Sequence, residues 1–248
     1  MIAIVGSRRA TPYGLRMARE MTLPLARAGL VIVSGLAFGI DEAAHEAAMD
    51  AGGRTIAVLA SGVDKTTPTE HIPLAERILN YNGAIISEFP DGTPAYKQNF
   101  PIRNRIIAGM CLATMVIEAT DQSGSLITAA QARDSGREVF SMPGPIDSEN
   151  SRGTNGLIKT GAHLLTCAND VLDLLEFVGL DVETPREPVT ADTKEEALLL
   201  PLLSRKPKHM DDLIRESGLT AQASSTSMSL MEIKGKIRHV GGNHYIIS

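Results

Sequence analysis

Along the first 175 residues, short runs that are apolar on both faces alternate with longer stretches of helical period. The runs "IAIV" (2–5), "LVIVS" (30–34), "TIAVLA" (55–60), "AIIS" (84–87), "LATMVIEA" (112–119) and "EVFSM" (138–142) predict buried strands. Strands covered on both faces lose the polar alternation of a half-solvated sheet. Between them, Thr11-Pro12 opens a helix as cap and first residue, and Gly29 stops it. "DEAAHEAAMDAG", "PLAERILNYNG" and "SLITAAQARDSG" predict three more helices, each closed by glycine. Strand, helix and strand at this spacing specify parallel βαβ units, an α/β fold with a doubly wound, mostly parallel sheet.

The pattern changes after "ANDVLDLLEF". "VGLDVETPREPVTADTKEE" has little apolar periodicity and carries the signature of a linker. From 181 to 196 there are six acids and two bases, whereas from Ala197 to the end seven Lys/Arg face four Asp/Glu. In that last stretch "MDDLIRESGL" and "TAQASSTSMSLMEIKG" predict two helices, and "KIRHVGGNHYIIS" a hairpin around a glycine turn. Helix, turn, helix and hairpin in this order predict a small winged-helix domain. The expected division is 1–176 for the sheet domain, 177–196 for a linker and 197–248 for the winged helix.

Composition narrows the classes. The net charge of −5 argues mildly against a simple polyanion binder, although local fields survive an average. No run of eighteen apolar residues is available to span a membrane, and "MIAIVGSRR" reverses the charge order of a secretory leader, so a cytoplasmic protein is expected. Cys111 and Cys167 make no CxxC spacing. Neither HExxH, GxSxG nor a Cys-His cluster occurs, and "SGLAFGID" is neither GxGxxG nor GxxxxGK[ST]. No metal, NAD or ATP is therefore expected.

Ligands of an open parallel sheet bind outside the carboxyl ends of its strands. The loops there are rich in small residues and cations. "SGLAFGID" and "TDQSGS" bring backbone amides to helix starts, a geometry that suits an anion and also suits plain turn formation. Arg8 and Arg9 follow the first strand. In "FPIRNR", an extended backbone would align Arg103 and Arg105; a helix beginning near Pro101 would point them about 200° apart and leave one as a structural anchor. Guanidinium forks suit phosphate, and the rings of Tyr96 and Phe100 beside Lys97 suit base stacking. Catalytic candidates are thin: Asp41 and His45 share a helix face without a third partner, and Glu118 ends a strand without a companion acid.

Taken in series, "AIVGSRRATPYG", "VIVSGLAFGIDEAAHEAAMDAG", "AIISEFPDGTP", "NFPIRNRIIAGM", "VIEATDQSGSLITAAQARDSGREVFSMPGPI" and "GTNGLIKTGAHLL" resemble the bacterial DNA-processing protein A (DprA, or Smf) family. The resemblance implies an extended Rossmann-like domain that binds single-stranded DNA without cutting it. It implies delivery of a RecA-type recombinase to that strand in natural transformation, and a homodimer. Carried onto this chain, the DNA-binding positions are Arg8, Ser34, Gly35, Phe100, Arg103, Asn104, Arg105, Ser123, Gly124 and Ser125, and the dimer positions are Ile158 and Leu164. Two features depart from the family pattern. Thr67-Pro68 and His71 stand where Tyr-Pro and then Asn are usual, and Met1 opens almost directly on the first strand where many members have a helical domain. The alternative is a nucleotide-processing hydrolase of the lysine-decarboxylase-like phosphoribohydrolase type. Its glycine pair and helix glutamate are missing from "TDQSGSLITAAQ". A duplex-reading winged helix is a third reading, but "TAQASSTSMSLMEIKG" offers only Lys234.

Overall fold

A computed structural model describes residues 1–177, 191–204 and 207–247. In chain order the first part comprises β1 (Ile2–Val5), α1 (Pro12–Arg27), β2 (Ile32–Ser34), α2 (Ile40–Asp50), β3 (Thr55–Val58), α3 (Ile72–Asn80), β4 (Ala84–Ile86), α4 (Asn99–Met110), β5 (Ala113–Val116), α5 (Gly124–Asp134), β6 (Glu138–Ser141), α6 (Glu149–Lys159), β7 (His163–Leu164) and α7 (Ala168–Phe177). The strands form one sheet in the order β4-β3-β2-β1-β5-β6-β7, and every pairing is parallel. The order reverses between β1 and β5, so the crevice favoured for ligands lies beyond Val5 and Val116.

The two-faced strands explain the unbroken apolar runs. Ile2 and Ile4 pack with α1, α2 and α7 through Leu25, Ile40 and Val171, all buried. Ala3 and Val5 turn to the opposite face, against Ile107 and Ala108 of α4 and Ala129 and Ala132 of α5. Each buried aliphatic side chain of this kind contributes roughly 1.5–3 kcal/mol relative to exposure. The helices begin where capping chemistry puts them. Thr11 accepts the amide of Gly14, and Ser123 that of Ser125.

Two elements escape the periodic pattern. α6 carries Gly153 and Gly156, and its apolar side chains are Leu157 and Ile158 in the last turn, too few for a sequence signal. Its glycine has a packing reason: a Cβ on Gly153 would stand 2.7–3.0 Å from the backbone of Ala119 and Thr120 and from the Ala119 side chain. The amide of Ala119 donates to Asn150 O, and that of Gly153 to Ala119 O, which fastens the first turn of α6 to the end of β5. β7 has only two residues and is an edge strand.

The chain divides into two compact units, 1–185 and 186–248. The second holds α8 (Lys194–Leu199), β8 (Lys208–His209), α9 (Met210–Ser217), α10 (Ala221–Ile233), β9 (Ile237–His239) and β10 (His244–Ile247). Its sheet, β8-β10-β9, is antiparallel, and with α9 and α10 it makes the expected winged helix. Most of the proposed linker, 178–190, lies outside the described residues. Its last residues do not: Thr193 caps α8, which starts at Lys194. Lys234 and Lys236 both pair with Asp192 and Glu196. The amide of Asp192 and then the ammonium of Lys236 hold Glu196 down to about 2. Two of the seven cations from Ala197 onward are thus paired with acids that precede that stretch, which weakens the case for a duplex reader.

Candidate nucleic-acid interface

A cleft of about 640 Å³ opens at the strand-order reversal. The loop after β1 supplies Arg8 and Arg9, and the turn of α4 supplies Phe100, Arg103 and Asn104. Lys97, just before α4, joins them. The start of α5 contributes Ser123, Gly124 and Ser125, and the start of α6 Glu149 and Asn150. The amide-bearing ends of two helices therefore meet at one site, each with its positive dipole end toward the cleft.

The two arginines of "FPIRNR" part company because α4 begins at Asn99, so the helical alternative holds. Arg103 is 4% exposed and points inward. Its guanidinium donates to the carbonyls of Gly35, at 2.9 Å, and Val58, and its Nε donates to Asn104 Oδ1 at 3.2 Å. The Gly35 peptide is held from its other end by Asp41, whose Oδ2 accepts the amides of Gly35 (3.0 Å) and Ala37 (3.4 Å). A Cβ on Gly35 would stand 2.7–2.9 Å from the guanidinium, so glycine is what lets Arg103 lie there. "SGLAFGID" and "FPIRNR" are joined by this clamp. Burial pushes Asp41 up, opposed by Arg103 and the two amides, and pulls Arg103 down to about 10, opposed by Asp41. Each charge offsets part of the other's desolvation.

Three expected positions do not line the cleft. Ser34 is fully buried and its hydroxyl donates to Ile4 O at 2.6 Å. Gly35 lies behind Arg103. Arg105 points outward and pairs with Glu88. By contrast Arg8, Phe100, Arg103, Asn104, Ser123, Gly124 and Ser125 all come together there. Arg8 lies over the Phe100 ring at 4.7 Å, a cation–π contact. Asn104 donates to Gly124 O at 3.3 Å and so ties the Arg103 clamp to the start of α5. Ser123 and Ser125 share a hydroxyl contact of 2.7 Å.

Sequence reasoning passed over Glu149 and Asn150, because nothing in "DSENSRG" announces that α6 docks on β5. Asn150 donates to Arg9 O at 3.2 Å. The catalytic candidates are committed elsewhere. His45, fully buried, is pulled down to about 3 by burial and contacts Thr55 Oγ1 at 2.6 Å. The carboxylate of Glu118 accepts the amide of Thr11 at 2.9 Å and its hydroxyl at 2.5 Å. His71 is buried too and donates to Leu36 O at 2.9 Å, so its loop braces the β2–α2 turn.

Comparison with known proteins agrees with this architecture. A model of the DNA recombination-mediator protein A family matches residues 1–176, and one of the DprA winged helix domain residues 183–243. Protein Smf of Escherichia coli K12 is 47% identical over 176 residues, 71% of this chain and 47% of that protein. The chain thus spans about half the length of that relative. The X-ray structure of DNA processing protein A from Streptococcus pneumoniae superposes with a TM-score of 0.65 at 43% identity, covering 69% of this chain and 60% of that one. DNA processing protein A from Helicobacter pylori, whose structure addresses its mode of binding single-stranded DNA, gives 0.65 at 30% identity, covering 71% and 80%. With a Rossmann-like parallel sheet followed by a winged helix, and a family match over most of its length, the chain belongs to the DNA recombination-mediator protein A family.

Proposed function

We propose that this protein binds single-stranded DNA through its phosphodiester backbone in the cleft, without chemistry on it, and helps a RecA-type recombinase onto the strand. One observation carries the reading. Arg8, Arg9 and Lys97 line the cleft with side chains that make no ion pair and no hydrogen bond among the described residues. They stand beside the α5 amides; the acids that line the same cleft are Asp41, already held by the Gly35 and Ala37 amides, and Glu149. Exposed cations left without carboxylates beside open helix starts suit an anion. Of the two acids buried at this edge, Asp41 holds the amides of Gly35 and Ala37, and Glu118 holds the amide and hydroxyl of Thr11; both serve to fix loops, which supports a holding site over a hydrolase. Among the described residues no helix is long and apolar enough to cross a membrane.

A labelled oligothymidine titrated at increasing salt tests this. Affinity is expected to fall linearly on logarithmic axes, because each phosphate contact releases counterions. Arg105→Ala, which removes a charge outside the cleft, is expected to change affinity less than about twofold, as a long-range screened charge does. A flat salt response, or base released from nucleoside monophosphates, would favour the hydrolase alternative.

The same reading includes a homodimer through the end of α6 and β7. Ile158 is half-buried, and Leu164 is 51% exposed on the edge strand, an apolar side chain on a row of unpaired backbone groups. Leu164→Asp is expected to convert a dimer to a monomer in light scattering after size exclusion. An unchanged mass would place the contact elsewhere.

A further inference from the structure

The first turn of α6 separates two cavities. Glu149 and Asn150 face the cleft, whereas Ser148 and Ser151, three apart and on one side of the helix, face a second cavity of about 590 Å³. Its other walls are Tyr13, Glu118, Pro143 and Pro145. No lysine or arginine lines it, so a phosphate has nothing to pair with there.

What lines it is flat, apolar and rich in acceptors. Glu118 is 3% exposed, and each of its oxygens accepts one hydrogen bond from Thr11, leaving a lone pair on each. Ser151 is 5% exposed, yet its hydroxyl makes no hydrogen bond among the described residues. It lies so close to Gly144 that a Cβ there would stand 2.1 Å from its oxygen. Ser148 is the cap residue of α6, but its side chain makes no capping bond. A hydroxyl that opens on the cavity without a protein partner offers a ligand one hydrogen bond, worth about 0.5–1.5 kcal/mol net.

The cup is rigid without a ligand. Gly144 donates to Asn155 Oδ1 at 3.2 Å and accepts from Asn155 Nδ2 at 3.0 Å, and the Ser148 amide donates to Pro145 O at 3.1 Å. Proline faces and a tyrosine ring offer stacking surfaces, while the carboxylate and hydroxyls call for N–H donors at the ring edge. A nucleobase carrying an amino group meets both demands. Adenine, cytosine and guanine each present one, whereas thymine presents only its ring N3–H, flanked by two carbonyls that would face the carboxylate.

We propose that this cavity is a nucleobase subsite that takes an amino-bearing base in preference to thymine. The inference rests on the cleft being a single-strand groove: a strand whose phosphates sit at Arg8 and Arg9 needs to cross only the first turn of one helix, about 10–12 Å wide with its side chains, to place a base in the cup. A free nucleoside has the same ring chemistry, so both sources are tested.

With the full chain, labelled oligodeoxycytidine and oligodeoxythymidine of equal length are compared in the wild type and in Ser148→Trp, which fills the cavity from its rim. The wild type is expected to prefer the cytidine strand by about five- to tenfold, the worth of one or two hydrogen bonds. In Ser148→Trp that ratio falls to about one. Ser151→Ala, which removes one hydroxyl and almost no volume, lowers the ratio part way and serves if the tryptophan variant does not fold. In a second arm, deoxycytidine alone shifts the amide resonances of Gly144 and Ser148, and thymidine does not. No strand preference in the wild type, or an equal preference in both variants, overturns the subsite. Nucleoside shifts without any strand binding would keep the cavity and sink the single-strand groove, so the two readings fail separately.

Discussion

Replacing Arg8 with alanine is expected to weaken binding of a labelled oligothymidine by about ten- to a hundredfold, the equivalent of one charge-assisted fork on phosphate. The slope of log affinity on log salt should also fall by about one, since one phosphate contact is removed. Arg8 is exposed, rests on Phe100 and has no acid to satisfy, so its removal leaves the fold without an orphaned partner. Stability by thermal melting is expected to stay within about 0.5 kcal/mol, as for surface changes away from special features. Arg8→Lys separates charge from shape: it keeps the salt slope and loses the bidentate geometry, so its affinity should fall between the two. If Arg8→Ala binds as tightly as the wild type at every salt concentration, the cleft is not where the strand lies.

How much of this was legible beforehand follows from which interactions are local. Strands such as "IAIV" and helices opened by Thr11 or Ser123 depend on neighbours in sequence, and the structure has them within a few residues of expectation. α6 was hidden because its signal is a tertiary one, a glycine placed against the backbone of Ala119 and Thr120. The site was half legible. Motifs at the carboxyl ends of strands were collected at one edge by the topology, but which guanidinium turns inward depends on the helical phase of α4. "SGLAFGID" has the look of an anion cradle, yet its amides at Gly35 and Ala37 already hold an anion, Asp41 six and four residues on. Periodicity registers a turn rich in small residues and is blind to the carboxylate that fills it.

That clamp sets the second large effect. Arg103→Met is expected to destabilise the first unit by about 3–5 kcal/mol, because it strands a buried carboxylate and takes donors from Gly35 O and Val58 O. Arg103→Lys should recover little, since one ammonium cannot reproduce a planar fork across two carbonyls and Asn104. Asp41→Asn added to Arg103→Met should restore part of the loss, a coupling above about 1 kcal/mol between groups in one network. The pH dependence has a definite sign. Asp41 is already raised above the ordinary 3.8 by burial, and losing Arg103 raises it further. A carboxyl whose folded value exceeds its unfolded one binds more protons in the native state, so stability falls as pH rises between the two. Arg103→Met should therefore gain stability relative to the wild type as pH is lowered from 7 toward 5, in urea unfolding followed by circular dichroism. The opposite result is equally readable. A variant as stable as the wild type at all pH values, but defective in DNA binding, would make Arg103 a ligand to phosphate and leave Asp41 to be held by the amides alone.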